Sequence, residues 1–253
     1  MVTIVTIAFA CFGAIIASFV GVMVERVHTG QSWQTGRSRC DSCARPLSPR
    51  DLVPILSWLF EQGKCRTCGA RIGARHIVFE ACLALLFALS YLSLGISLEL
   101  VFFLLSLAVL AFIVAYDLKH TVVPAVASLF LFSFSAAFAL LSAGSIQEFG
   151  GALLTAGAIG FAFFLLYALS SGRAMGLGDA PVALSLSLLV APYAFSGLLF
   201  SFWIGAVIGI AVLVLRRGGP KMGIEVPFVP FLAVGYLLAY FTTWSPFLAV
   251  SAL

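Results

Sequence analysis

Charge is scarce in this sequence. Of 253 residues, 14 are Lys or Arg, 10 are Asp or Glu, and 62% are hydrophobic. That balance excludes an ordinary soluble domain, and the recurring apolar runs of about 20 residues mark a polytopic membrane protein. A basic stretch ahead of the first run is also missing, since Met1-Val2-Thr3 leads straight into it and its basic flank, Arg26, follows. The expectation is a retained first span with its N-terminus outside, not a cleaved signal peptide. No internal repeat, low-complexity tract or glycine-rich phosphate loop is visible. The net charge of +4 then speaks of topology and anionic lipid, not of nucleic acid.

What is present is apolar and periodic. Eight candidate spans fall at about 3–24, 76–95, 98–117, 121–143, 149–171, 179–194, 196–215 and 228–250, the sixth being short for the ~30 Å of hydrocarbon it would cross. The reading is an all-α polytopic membrane protein of about eight transmembrane helices with a small cytoplasmic zinc-ribbon-like insert. It divides into a first span (1–24), a four-cysteine loop (25–75) and a membrane core (76–253). Alternation places every Lys and Arg inside. Nine lie in the loop (Arg26, Arg37, Arg39, Arg45, Arg50, Lys64, Arg66, Arg71 and Arg75), and the others are Lys119, Arg173, Arg216, Arg217 and Lys221. By the positive-inside rule the loop is cytoplasmic.

Against this apolar background two carboxylates stand out. Asp179 closes Gly176-Leu177-Gly178-Asp179 between two apolar runs, and Asp117 ends another. Ionisable groups at such depth are costly and are functional candidates by default. The plainer alternative for Asp179 is an N-cap carboxylate, with Pro181 in the first turn. Topology puts both aspartates at cytoplasmic span ends. If they meet, they share a proton, one acting as base on a water and the other as acid toward a carbonyl. Gly176 and Gly178 allow close backbone approach beside them.

The loop holds Cys40-Asp41-Ser42-Cys43 and Cys65-Arg66-Thr67-Cys68. Four thiolates at this spacing suit a tetrahedral metal, usually zinc. Two disulfides are the alternative, but they are rare on the cytoplasmic side. A closed four-cysteine site is structural, not catalytic. Cys11 and Cys82 lie inside spans and read as packing residues. Glu80, one turn into the second span, is a secondary candidate. His120 is near enough to Asp117 in sequence to tune it. Val226-Pro227-Phe228-Val229-Pro230-Phe231 reads either as a kinked helix start or as a strand-like edge that could bind an extended peptide beside the aspartates. In either case Pro227 and Pro230 are active-site support.

Taken together, these motifs make the chain resemble the type IV prepilin peptidases, membrane aspartyl proteases with a GxGD motif. The resemblance runs from Ser18-Phe19 through the double CxxC loop, with Asp51 to Leu59 and Gly63 to Gly69 as its signature. It continues through Asp117 with Pro124, then Gly176 to Asp179, and ends at Val226 to Leu232. Asp41 and Val229 stand where the family commonly has proline and glycine. The resemblance implies Asp117 and Asp179 as the catalytic pair, in a bacterial cytoplasmic membrane. It implies cleavage of basic leaders from type IV prepilins and type II secretion pseudopilins on the cytoplasmic side. It also implies methylation of the new N-terminus with S-adenosylmethionine, for which the sequence names no residues. Three other readings compete. A presenilin- or signal-peptide-peptidase-like protease lacks the cysteine loop. A proton-coupled transporter would favour inverted repeats. A zinc-bearing scaffold would leave the aspartates as mere caps.

Overall fold

The computed structural model describes residues 1–32, 34, 36–173, 175–215 and 227–245. Arg216, Arg217 and Lys221 of the expected inner connection, Val226 of the proline motif and the last part of the eighth expected span lie outside the described residues. No strand occurs among those described, only isolated bridges at Arg39–Pro46 and Lys64–Arg71. The architecture is all-helical. Six helices are long and apolar enough to cross a membrane.

The chain divides into two compact units, residues 1–100 and 101–253. In the first, α1 (Val2–His28) packs along α3 (Arg75–Leu94). Phe9 stacks on Tyr91 with ring centres 4.9 Å apart, and Phe12 meets Phe87 edge-on. Between them run the cysteine loop, a 3-10 turn at Pro49–Leu52 and a short helix, α2 (Leu56–Phe60). Asp51 secures that turn. It accepts the Ser48 amide and hydroxyl, both at 2.8 Å, and pairs with Arg45 at 3.0 Å. The amide, the hydroxyl and then the Arg45 charge hold its carboxyl below the usual carboxylate range. Cys11 and Cys82 are exposed on the outer faces of α1 and α3. That corrects the expectation that they are packing residues, because the buried stripe runs through Gly13, Ala14, Ala17, Val20 and Val24 on α1 and through Leu83, Phe87 and Ser90 on α3.

The second unit comprises α4 (Leu98–His120), α5 (Ala125–Ser142), α6 (Ile146–Ser170), α7 (Asp179–Leu189), α8 (Ala194–Leu215) and α9 (Val229–Thr242). The sixth and eighth expected spans appear as α7 and α9, of 11 and 14 residues. At 1.5 Å per residue these rise roughly 16 and 21 Å, less than the ~30 Å hydrocarbon core. The interior is built around α7. Nearly all of its residues are buried, and it packs against α5, α6, α8 and α9. Ser187 on α7 and Tyr236 on α9 satisfy one another by a buried hydrogen bond of 2.9 Å, which a polar pair in an apolar core requires. Gly235 lets α9 cross α8 at Ser201, where any Cβ would collide with the Ser201 backbone. Small residues commonly permit such crossings in membrane bundles. By contrast Leu154, Leu169 and Leu215 are exposed by more than three quarters, as side chains facing lipid would be.

Candidate active site and metal knuckles

Two of the second unit's helix ends carry the aspartates. Asp117 lies in the last turn of α4, and Asp179 is the first residue of α7. They are 5% and 7% exposed, the only buried carboxylates among the described residues. Both line one cavity of about 1340 Å³, and they are close enough to interact through their charges. The sequence alone allowed that meeting without requiring it.

The local geometry explains how each is held. Residues 176–179 form a tight turn, with the Asp179 amide donating to the Gly176 carbonyl at 3.2 Å. The Gly176 amide donates back to Asp179 Oδ2 at 3.1 Å. Asp179 therefore does not cap α7; it makes no side-chain capping bond there, and Gly178 occupies the cap position. At the other end, α4 stops where Thr121 turns left-handed (φ 53°) and donates to the Asp117 carbonyl at 2.8 Å. The chain then runs back to place Val123 against Gly178. A Cβ on Gly178 would lie 2.5 Å from Val123 Cβ. The glycine is thus the contact that lets the two aspartate-bearing segments close together.

A third element was not legible from residue type. The backbone amide of Val229, the first residue of α9, faces the Asp117 carboxylate, while Asp117 Oδ2 is buried without a hydrogen-bond partner among the described residues. Pro227 and Phe228 line the cavity, whereas Pro230 sits in the first turn of α9 and does not. This settles the choice between helix start and strand-like edge. The amides of Phe231 and Leu232 are both spent on the Phe228 carbonyl, and Val229 is fully buried. No peptide-binding edge is open at Val229 to Leu232. Since prolines have no N–H, Val229 is one of the motif's few available donors, and that was the signal to look for. Phe164, Phe202 and Phe228 add aromatic wall to the cavity, and Arg173 lies at its lining. His120 packs its ring on Tyr116, with centres 4.7 Å apart, and is not among the lining residues.

In the first unit the four loop cysteines converge. Their sulfurs all lie within 4.8 Å of one another, with Cys40 and Cys68 3.9 Å apart and none in a disulfide. Tetrahedral zinc with Zn–S bonds near 2.3 Å needs S···S edges of about 3.8 Å, so the donor set fits that metal. The two knuckles repeat one backbone pattern. The amides of Cys40 and Cys65 donate to the carbonyls of Arg45 and Ala70, and those of Ala44 and Gly69 donate to the carbonyls of Cys40 and Cys65. Hydrogen bonds from the amides of Cys68 and Thr67 lower the Cys65 thiol to about 6. Cys68 accepts the Ala70 amide, yet burial and the neighbouring thiols push it up to about 11. Each knuckle ends on a left-handed residue, Ala44 at φ 55° and Gly69 at φ 69°. Alanine at that φ costs about 1–2 kcal/mol. Ala44→Gly is accordingly expected to stabilise the loop by about 1 kcal/mol net of the added chain entropy. Chelator-challenged thermal unfolding checks it, and an unchanged or lowered midpoint would count against a strained turn.

Known proteins resemble the chain along most of its length. Residues 11–94 match the family model for the bacterial Peptidase A24 N-terminal domain, and residues 102–214 match that for the type IV leader peptidase family. A prepilin leader peptidase/N-methyltransferase of Bacillus subtilis (strain 168) is 34% identical over 235 residues, covering 90% of this chain and 91% of the relative. A protein of the same name from Myxococcus xanthus (strain DK1622) is 32% identical, covering 83% of this chain and 64% of the relative. A type 4 prepilin-like proteins leader peptide-processing enzyme of Escherichia coli O78:H11 is 28% identical over 90% and 93% of the two chains. No solved structure matches the chain significantly.

Proposed function

Because the chain belongs to the type IV leader peptidase family, we propose that Asp117 and Asp179 together hydrolyse the leader peptide of prepilins and pseudopilins at the cytoplasmic membrane face. The observation that carries this reading is their burial in one shared cavity. An ionised aspartate takes a proton from water as the water attacks the scissile carbonyl. The protonated partner gives its proton to the carbonyl oxygen, and the proton taken from water is then passed to the leaving amine as the tetrahedral intermediate collapses. The Val229 amide orients one oxygen of Asp117, and the Gly176 amide does the same for Asp179. Fixed donors cost no reorganisation during the reaction. The segregation of Lys and Arg supports a multi-pass protein of the bacterial cytoplasmic membrane with the loop and both aspartates inside.

The chain also methylates the new N-terminus, in this proposal, and the names of its relatives support that second activity. S-adenosylmethionine supplies the methyl group. The deprotonated amine attacks the methyl carbon, the carbon–sulfur bond breaks, and its electron pair stays on sulfur. The cysteine loop, whose closed metal site has no position for water, positions substrate for this step and folds around zinc held by Cys40, Cys43, Cys65 and Cys68.

Purified protein in detergent, given a prepilin-type substrate and S-adenosylmethionine, tests both activities by product mass. Loss of the leader followed by gain of one methyl group is the expected result, and an intact substrate would reject the reading. Within the same assay Gly178→Ala is expected to lower kcat/KM by about ten- to a hundredfold. Relieving the clash with Val123 takes a backbone shift of the size that costs about 1–3 kcal/mol. Unchanged kcat/KM would show that the close approach of the two segments is dispensable.

A further inference from the structure

The first unit contains a cavity that the peptidase chemistry does not use. It has a volume of about 320 Å³, at the lower end of the range for small-molecule sites. It is lined from α1 by Glu25, from the loop by Asp41, Arg45 and Asp51, from α2 by Trp58 and from α3 by Glu80.

Three features mark it as built rather than incidental. Arg45 reaches Asp51 with one terminal nitrogen, while its Nε is buried with no hydrogen-bond partner among the described residues. A buried donor left over in this way awaits an acceptor. Trp58 is fixed, its indole N–H donating to the Ile72 carbonyl at 3.1 Å and its ring packed so tightly on Gly63 that a Cβ there would lie 2.8 Å away. The turn leading into Trp58 is strained. Ile55 has φ 62° and ψ −53°, and the Leu56 amide closes on the Pro54 carbonyl at 2.6 Å. A β-branched residue is rarely found there. Glu80 pins the turn by accepting the Ile55 amide at 2.7 Å. Strain of this kind gathers at ligand clamps and similar sites.

The charges of the lining select the ligand class. Five Lys or Arg and five Asp or Glu side chains contribute, so the cavity favours neither a polyphosphate nor a polycation. A fixed indole face, a spare guanidinium donor and carboxylates from two spans suit a molecule with a flat base, a carboxylate and cationic centres. We infer that this cavity is the methyl-donor site, taking S-adenosylmethionine with its base at Trp58, its carboxylate at Arg45 and its ammonium and sulfonium on the Glu25 and Glu80 side. The inference rests on the methyl-transfer reading above and assigns it residues.

Binding, not turnover, tests it. Full-length protein in detergent is titrated with S-adenosylmethionine by calorimetry, with zinc content as the control for an intact loop. Arg45→Gln and Trp58→Ala are each expected to raise Kd at least tenfold. Ultraviolet cross-linking of methyl-tritiated S-adenosylmethionine to the wild-type chain is expected to label peptides within residues 17–80, so a variant that loses zinc does not leave the question open. Wild-type Kd in both variants, or label in residues 101–253, would overturn the site. A wild-type chain that cleaves substrate but neither binds S-adenosylmethionine nor methylates would instead overturn the methyl-transfer reading beneath it.

Discussion

Asp117→Asn and Asp179→Asn are each expected to reduce leader cleavage by about a thousandfold or more while the helices stay assembled. Asparagine keeps the shape and the capacity to accept the Val229 or Gly176 amide, so packing has little reason to change. What it loses is proton exchange, and positioned acid–base catalysis is worth about 10²–10⁴-fold. Both aspartates are buried on the shared cavity, and no other buried carboxylate among the described residues can substitute. The comparison is of kcat/KM for wild type and variants on one substrate, with thermal melting as the control for folding. Residual activity above a tenth of wild type, a loss under about 1.4 kcal/mol, would remove that aspartate from the mechanism.

The second large effect concerns the metal. Serine at Cys40, Cys43, Cys65 or Cys68 is expected to release zinc and unfold the loop. Around the knuckles there is little core: of the described residues between 29 and 74 only Gly63 and Cys65 are buried. Structural zinc contributes about 10–16 kcal/mol in small peptides, far more than so sparse a core supplies. Elemental analysis should find one zinc per wild-type chain and much less in each variant. A chain with no metal, or with two disulfides by mass spectrometry, would reject the site. The Cys40→Ser/Cys43→Ser double variant should lose methylation more than cleavage, and the opposite order would overturn the division of labour between loop and aspartates.

Much of this was legible in the sequence for identifiable reasons. Long apolar runs report spans directly, and six of them became helices able to cross a membrane. The spacing of Cys40, Cys43, Cys65 and Cys68 gave the cluster because a tetrahedral ion dictates it. Sequence overreached at α7. A helix sheathed in protein is apolar all round, just like one in lipid, so its eleven residues looked like a span. Two alternatives that it left open are decided by geometry: the Asp179 carboxylate bonds backward to Gly176 and does not cap α7, and the proline motif starts a helix, the plainer of its two readings. The Val229 donor left only an indirect trace, in the prolines around it, and the strained Ile55 left none. Both are backbone properties, and the residue names do not record them. Isoleucine, if anything, argues against the conformation it adopts.

The central claim is that two aspartates from separate helices act as one unit. A double-mutant cycle tests it most directly, through kcat/KM for wild type, Asp117→Asn, Asp179→Asn and the combined variant. Residues that act together are strongly non-additive, so the double variant should be no slower than the worse single variant within about threefold, an error of ~0.6 kcal/mol. Losses that multiply, leaving the double variant slower by the product of the two single effects, would mean that Asp117 and Asp179 contribute independently and that no catalytic pair exists.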